Sequence, residues 1–591
     1  MEFSVRKRIQ DRLSDEKGCI YKAGAWCKIA LVYPNEYFFG MSNLGFQSMY
    51  KIFNEDPEVS CERMFLPEAD ILPQFGPGSL LTYEGKSPAR QMDAIAFSIS
   101  YQNDLLNILP LLRMMGLPER ARARGSADPL VIGGGPALTI NPEPAALIFD
   151  AMVIGEGEEV AEKIVEVLKA RGDREEKLSR LTEMEGIYVP ALRDNPYGSY
   201  PQGIKATGGF GLISGEANGH RQDFPFIRRQ VVRNPRIGLA QTQVVASDTE
   251  FGDMFLLEVQ RGCQWGCRFC AAGFMYRYPV YDELEDLKRR IDMGLRHRKK
   301  VGLIAGDLLG HESIHEILAY IDSQGGTFSP SSVRLNAFTP EIIHFLKKSG
   351  NRSIAIAPEA GSERLRRKLN KTFSQEEVVA AALQLAEGGI ENIKLYIMIG
   401  LPSETPEDIE ELCELTLQTR RALSTFAKKS GRMPQLTLSV SPFVPKPSTP
   451  LQYEPFVGMK ELKKIFQKIR GRLLPQGHIR LSGESALDAM VETLLSRGDR
   501  QVHEFLEAAL VPAGKAWQVG NSGHLKGALK KLSFDYESFV TRTWDPQASA
   551  PWDIIDHGMK NSYFEREQDK FQRDRITPYC RPQVCRSCGV C

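Results

Sequence analysis

Two series of short apolar runs, each closed by glycine or a polar turn, organise this chain. In the first, Lys28-Ile-Ala-Leu-Val-Tyr33, Asp93-Ala-Ile-Ala-Phe-Ser-Ile-Ser100, Leu130-Val-Ile-Gly-Gly-Gly135 and Ala151-Met-Val-Ile-Gly-Glu-Gly-Glu158 read as strands. Continuous rather than alternating apolar character marks strands buried on both faces, as in a parallel sheet covered by helices. The last run leads into a helical pattern with Val160, Ile164, Val167 and Leu168 on one side. Glycines at these strand ends lie where open parallel sheets bind their ligands.

The second series starts at Phe255-Leu-Leu-Glu-Val259. It continues through Val301–Asp307, Ser332–Asn336, Ser353–Ala357, Ile393–Gly400 and Gln435–Val440 at helix-sized intervals. Helix starts are marked by a capping box at Ser374-Gln-Glu-Glu377 and by Thr405-Pro-Glu-Asp408, a cap residue ahead of a first-turn proline. Between the series, Gly208–Gly215 and the Pro/Asn/Arg-rich stretch after Phe224 read as a linker. The expected organisation is a sheet domain over 1–170, a linker over 171–250, a strand–helix domain over 251–455, a mainly helical region over 456–570 and a cysteine-rich tail over 571–591.

Composition adds little to this. The chain has 591 residues, 42% hydrophobic and 25% charged, with a net charge of +1. No large field argues for wholesale nucleic-acid binding, although that partner stays open. The basic runs Arg296–Lys300 and Arg364–Lys371 read as solvated helix faces. There is no apolar stretch long enough to span a membrane and no apolar core in the first ten residues, so a cytoplasmic protein is expected. Seven of the eleven cysteines fall in two tight groups, which in a reducing compartment points to metal. Cys19, Cys27, Cys61 and Cys413 are scattered and read as packing residues.

The first group, Cys263, Cys267 and Cys270, has C-x3-C-x2-C spacing with Phe269 before the third cysteine. A 4Fe–4S cluster normally takes four thiolates; three leave one iron for another ligand. The pattern resembles the radical SAM superfamily, in which S-adenosylmethionine (SAM) binds that open iron. The resemblance implies a partial (β/α)6 TIM-type barrel after a Rossmann-like parallel sheet domain, an α/β architecture. It also implies reductive cleavage of SAM to a 5′-deoxyadenosyl radical, oxygen sensitivity, and a reductant such as ferredoxin or flavodoxin. By position in the strand series, Gly306 and Asp307 match the segment contacting the methionyl amino group. Glu359, in Pro358-Glu-Ala-Gly-Ser362, matches the carboxylate on the ribose, with Ser362 beside it. Lys394 matches a partner for the SAM carboxylate, and Ile399-Gly400 the segment packed on adenine.

A sheet domain ahead of such a barrel resembles the cobalamin-binding radical SAM subfamily. The residues carrying this are Gly133, Gly134 and Gly135, Asn141-Pro-Glu-Pro144, and Gly155-Glu156. The resemblance implies that these glycines let a corrin approach the backbone, with Ser98 and Ser100 toward its nucleotide tail and the loop Tyr33–Gly45 toward the corrin. That loop has no histidine to ligate cobalt. Gly40–Gly45, Phe443–Pro447, Ser496–Asp499 and Cys588–Cys591 extend the resemblance along most of the chain.

Cys580, Cys585, Cys588 and Cys591 have C-x4-C-x2-C-x2-C spacing, which is ferredoxin-like. A second iron–sulfur cluster is expected, with structural zinc and free redox thiols as alternatives. The expected function is cobalamin-dependent methyl transfer to an unactivated carbon. The alternative is cobalamin-independent modification of RNA or protein with a methylthiotransferase-like layout; a non-catalytic iron–sulfur sensor is the reading from another class. The substrate is not legible.

Overall fold

The computed structural model describes residues 3–192, 226–233, 237–331, 333–546, 548–581, 584–585 and 587–590. It is an α/β structure that divides into two compact units. One comprises Met1–Gly252, Leu494–Phe539 and Asp545–Gly558; the other comprises Asp253–Thr493, Val540–Trp544 and Met559–Cys591.

The first unit is built on six strands: β1 (Cys27–Tyr33), β2 (Val59–Phe65), β3 (Ala94–Ser98), β4 (Leu130–Gly134), β5 (Ala151–Val153) and β6 (Ile187–Tyr188). Their order is β2-β1-β3-β4-β5-β6, parallel except for the antiparallel edge pair β5–β6. Crossing from β2 through β1 to β3 reverses the winding, so the ligand position of such a sheet lies beyond the ends of β1 and β3. The sequence pattern missed β2 because Glu62 and Arg63 interrupt its apolar run. Both are buried. Arg63 pairs with Glu16 and Glu84 at 2.6 Å each, and Glu62 accepts from the Thr82 hydroxyl. Within the stretch read as a linker, Arg174–Thr182 is a helix opened by an Asp173/Glu176 capping box, and β6 joins the sheet. Gly208–Gly215 lies outside the described residues.

Two motifs noted separately in the sequence meet in this unit. The Asn141 amide donates to the carbonyls of Ser496 (3.1 Å) and Gly498 (2.8 Å). The Glu143 carboxylate, fully buried, pairs with Arg500 at 2.9 Å and accepts from the Tyr188 hydroxyl. Asn-Pro-Glu-Pro and Ser-Arg-Gly-Asp therefore brace the returning chain against the sheet.

The second unit has seven principal strands: β7 (Met254–Glu258), β8 (Lys300–Ile304), β9 (Thr327–Pro330), β10 (Ser353–Glu359), β11 (Asn392–Ile399), β12 (Gln435–Pro442) and β13 (Ile479–Gly483). Among the described residues they pair as two parallel sheets, β9-β8-β7 and β10-β11-β12-β13. The expected third strand over Ser332–Asn336 is displaced. The strand is β9, which follows the Gly325-Gly326 turn and ends at Pro330. Leu335–Ala337 is a short 3₁₀ turn, and Ser332 lies outside the described residues. Strand β13 was missed because it is a polar, largely exposed edge carrying Arg480 and Ser482. The expected capping box forms at Ser374, and Thr405 is the cap residue ahead of Pro406 at the start of its helix.

Along β11, Ile393, Leu395, Ile397 and Ile399 are buried while Lys394, Tyr396 and Met398 alternate with them as half-buried or exposed positions. Ala355, Ala357 and Glu359 on β10 and Ser439 and Ser441 on β12 follow the same alternation. One face of this sheet is thus open and partly polar, unlike a parallel sheet covered on both sides. No described helix is long and apolar enough to cross a membrane.

Candidate functional site

Strand β7 delivers the cysteine loop at its C-terminal end. Gly262, at φ +76°, makes the turn; a Cβ there would lie 2.2 Å from the Tyr276 carbonyl oxygen, so only glycine fits. Gly306 follows β8 and is equally constrained, with a Cβ position 2.4 Å from the Gly262 oxygen and 3.0 Å from the Cys263 Cβ. The two strand ends are thereby held in close contact.

The three thiols lie close enough to raise one another's proton affinity. Burial is the larger cause, pushing Cys263 up to about 12, Cys267 up to about 11 and Cys270 upward. The Trp265 backbone N–H offsets this at Cys263, and those of Ala272 and Gly273 do so at Cys270. Free thiols in this setting keep their protons near neutrality, and metal has to displace them. Among the described residues, no three His, Cys, Asp or Glu side chains already stand at metal-holding spacing.

Charged groups surround the loop. Asp307 is buried; its Oδ2 accepts from Gln264 Nε2 (2.8 Å) and Trp265 Nε1 (2.6 Å), while Oδ1 has no hydrogen-bond partner. An unpaired carboxylate oxygen beside the Cys263 loop suits an ammonium group. Glu359 sits at φ +70°, where the β10–β11 register shifts, and pairs with Lys371 Nζ at 2.8 Å. Lys371 also donates to the Ala357 carbonyl at 2.9 Å and acts electrostatically on Cys267 and Cys270. Arg334 stacks on Trp265 at 3.6 Å and donates toward Cys267. A thiolate-ligated cluster carries negative charge, which Lys371 and Arg334 are placed to offset.

Lys371 and Arg334 were not identified from the sequence. The run Arg364–Lys371 was read as a solvated face and is largely the reverse. Arg366 is fully buried and donates to the carbonyls of Phe373, Ala360 and Gly361; Lys368 is buried and donates to Phe571. Charge bound to inward-facing carbonyls gives no signal in the linear pattern.

The other expected SAM-pocket residues divide by environment. Lys394 lies on the open face of β11. Gly400, at φ +73°, donates its N–H to Glu404 at 2.7 Å, and burial raises the Glu404 carboxyl to about 7. Ile399 is buried, and Phe269 packs with Met398 against the core of Ala360, Leu365, Leu369, Leu401, Phe443, Leu451 and Phe571. Ser362 is fully buried; it caps helix Glu363–Lys368 and donates to Asp408, so its hydroxyl is committed to the fold.

In the first unit, Ser98, Ser100, Gly134, Gly135, Gly155 and Glu156 stand half-buried at the strand ends. Most of their free space is already used by the chain. A Cβ at Gly135 would meet the Ile99 oxygen at 2.5 Å, at Gly155 the Gln230 oxygen at 2.3 Å, and at Gly133 the Leu138 side chain at 2.7 Å. Glu156 accepts from the Val232 N–H at 2.7 Å. Gly134 alone has only an ordinary contact, Val153 at 3.6 Å. Ser100 accepts from the Asn43 amide at 2.9 Å.

The tail cysteines Cys580 and Cys588 are buried and Cys585 is half-buried; Cys591 lies outside the described residues. Cys27, Cys61 and Cys413 are buried, and Cys19 donates to Glu16 at 2.6 Å.

A three-thiol loop at the C-terminal end of a parallel strand, flanked by an unpaired carboxylate and two cations, defines a protein equipped to hold an iron–sulfur cluster and an amino-acid-like ligand. A family model described as "Radical SAM proteins, N-terminal" matches residues 45–190, and one described as "Radical SAM superfamily" matches 257–416. The chain belongs to the radical SAM superfamily and is a radical SAM enzyme, which implies a 4Fe–4S cluster and SAM.

It is 28% identical over 490 residues to "Uncharacterized protein MJ0966" of Methanocaldococcus jannaschii, covering 82% of this chain and 91% of that protein. It is 24% identical over 169 residues to the ribosomal protein uS12 methylthiotransferase RimO of Thermotoga maritima, covering 26% of this chain and 39% of RimO. Among solved structures, the radical SAM methyltransferase TsrM from Kitasatospora setae, with cobalamin and a [4Fe-4S] cluster bound, aligns with a TM-score of 0.44 at 13% identity, over 93% of this chain and 99% of that one.

Proposed function

We propose that this radical SAM enzyme transfers a methyl group to an unactivated carbon with the help of cobalamin. The observation carrying the reading is Asp104, just beyond β3 at the point where the winding of the first sheet reverses. It is 5% exposed; Oδ1 accepts from Asn35 Nδ2 at 3.1 Å and Oδ2 has no hydrogen-bond partner. Phe38, Phe39 and Tyr101 are exposed in the segments following β1 and β3. A polar floor with an aromatic rim at this position suits a large flat ligand bearing amide donors, such as a corrin. Gly134, where a Cβ would meet only Val153 at 3.6 Å, is the strand-end glycine with space beside it.

In the second unit, Cys263, Cys267 and Cys270 would hold the cluster. Asp307 would take the amino group of SAM and Glu359 its ribose hydroxyls, with Lys371 holding Glu359 in place. Lys394, on the open sheet face, would pair with the SAM carboxylate. When bound, the cluster and SAM supply one-electron cleavage to a carbon radical, and cobalamin supplies a methyl carrier. The chain's own groups bind, orient and neutralise charge.

The test is anaerobic reconstitution with iron, sulfide and hydroxocobalamin. Corrin absorbance that survives desalting in the wild type and falls in Asp104→Leu supports the reading. Absence of retained corrin overturns it and leaves cobalamin-independent modification of an RNA or protein, the reading that the similarity to RimO favours.

A further inference from the structure

The cysteine tail packs directly on the loop that carries Cys263, Cys267 and Cys270. The Cys580 N–H donates to the carbonyl of Gln264, the residue after Cys263, at 2.7 Å. Tyr579 lies against Trp265, ring centroids 5.5 Å apart. Asn370 ties the same two segments, donating to the carbonyls of Gly266 (3.1 Å) and Thr577 (3.0 Å) and accepting from the Thr577 N–H (2.8 Å).

The short helix after the loop is held as well. Cys588 is buried in one apolar cluster with Phe274, Met559, Tyr563 and Phe564. Arg277 donates toward the Cys580 sulfur, acts electrostatically on Cys588, and bonds the Tyr563 hydroxyl at 3.0 Å. Thus Cys580 is tied to the first cysteine loop by a backbone hydrogen bond, and Cys588 packs on Phe274 of the short helix that follows that loop.

We infer that the tail cysteines hold a second iron–sulfur centre that relays electrons to the first. The inference rests on the radical SAM reading of the first loop. Cys580, Cys585 and Cys588 have C-x4-C-x2-C spacing, as in cluster-binding runs. Its place against the first loop assigns this centre electron transfer. One electron enters from a reduced flavodoxin- or ferredoxin-class protein, reduces the tail centre, and passes to the first cluster. The tail centre returns to its oxidised form, and no bond is made or broken. The tail also presents a surface suited to an acidic carrier: Ile576, Tyr579 and Val584 are exposed alongside Arg575 and Arg581.

The experiment compares the full chain, a Cys580→Ser/Cys585→Ser/Cys588→Ser variant and a Cys263→Ser/Cys267→Ser/Cys270→Ser variant, all reconstituted anaerobically. Iron, sulfide and zinc are counted, and dithionite-reduced samples are examined by electron paramagnetic resonance. Each triple variant should retain roughly half the wild-type iron. The wild-type spectrum should be broadened by coupling and differ from the sum of the variant spectra. Reduction of the first cluster by flavodoxin should be lost in the tail variant while dithionite still reduces it. Zinc instead of iron in the loop variant overturns the inference, as does a wild-type spectrum equal to that sum. The loop variant leaves the tail intact, so it reads the second centre even if the tail variant misfolds. Failure of the first cluster to assemble in the tail variant and in the wild type would instead count against the radical SAM reading.

Discussion

Arg268, between Cys267 and Phe269, pairs through its Nε with the Glu567 carboxylate at 3.2 Å, with side-chain exposures of 0% and 1%. The same guanidinium donates to the carbonyls of Lys368 (2.6 Å) and Arg575 (2.7 Å). A residue inside the cysteine motif therefore fastens the loop to helix Asn561–Gln572 and to the segment leading into the tail. Breaking a buried pair by removing one partner costs about 3–5 kcal/mol. Arg268→Met should destabilise by that order and shed cluster iron during desalting, while Arg268→Met/Glu567→Met should recover part of the loss. Denaturant unfolding with iron counting checks both.

Lys371 holds Glu359 and faces Cys267. Lys371→Met leaves a partly buried carboxylate without its cation and removes a positive charge from the cluster environment. SAM affinity, measured by calorimetry on the reconstituted protein, should fall by about tenfold, or about 1.4 kcal/mol. Lys371→Arg should restore part of it. An unchanged affinity in both variants would remove Glu359 and Lys371 from the SAM site.

Gly306 has no room for a side chain. Gly306→Ala must displace either the Gly262 carbonyl or Cys263, and overpacking of this kind costs about 1–3 kcal/mol. Iron incorporation should drop, while far-ultraviolet circular dichroism stays that of the wild type. Full iron loading in the variant would show that the loop yields without moving its cysteines.

Asp104 gives a pH dependence of known sign. Burial raises its carboxyl to about 6, above an unfolded value of about 3.9, so the folded protein binds the extra proton between these values. Its contribution favours the folded state below about pH 4 and is lost as pH rises through 6, amounting to about 3 kcal/mol. Asp104→Asn should flatten this part of the stability profile. A wild-type profile without a downward slope between pH 4 and 6 relative to Asp104→Asn would place Asp104 in a more polar setting. A bound corrin that donates an amide to Oδ2 should also reduce the slope.

Some of this architecture is legible in residue order. The spacing of Cys263, Cys267 and Cys270, the glycine after β8, the capping box at Ser374 and the cap at Thr405 depend on neighbours a few positions away, and such local requirements leave a direct trace. Strand β2 and the run Arg364–Lys371 left a misleading one. Their charges are satisfied by Glu16 and Glu84 and by the carbonyls of Ala360, Gly361 and Phe571, partners that only the folded chain supplies. The bonds of Ser362 to the Leu365 N–H and to Asp408 left no trace either, because a hydroxyl committed to capping looks, in sequence, like one that is available.

By itself, the order of residues determined the α/β class, the thiol-bearing loop and the family, because apolar periodicity and ligand spacing are short-range properties. Tertiary structure alone decided that Asp307 keeps one free oxygen, that Lys371 faces the cysteines, and that the tail closes on the loop it follows by some three hundred residues. Those relations rest on burial and on hydrogen bonds between distant segments, whose energies depend on desolvation and geometry that no linear pattern carries.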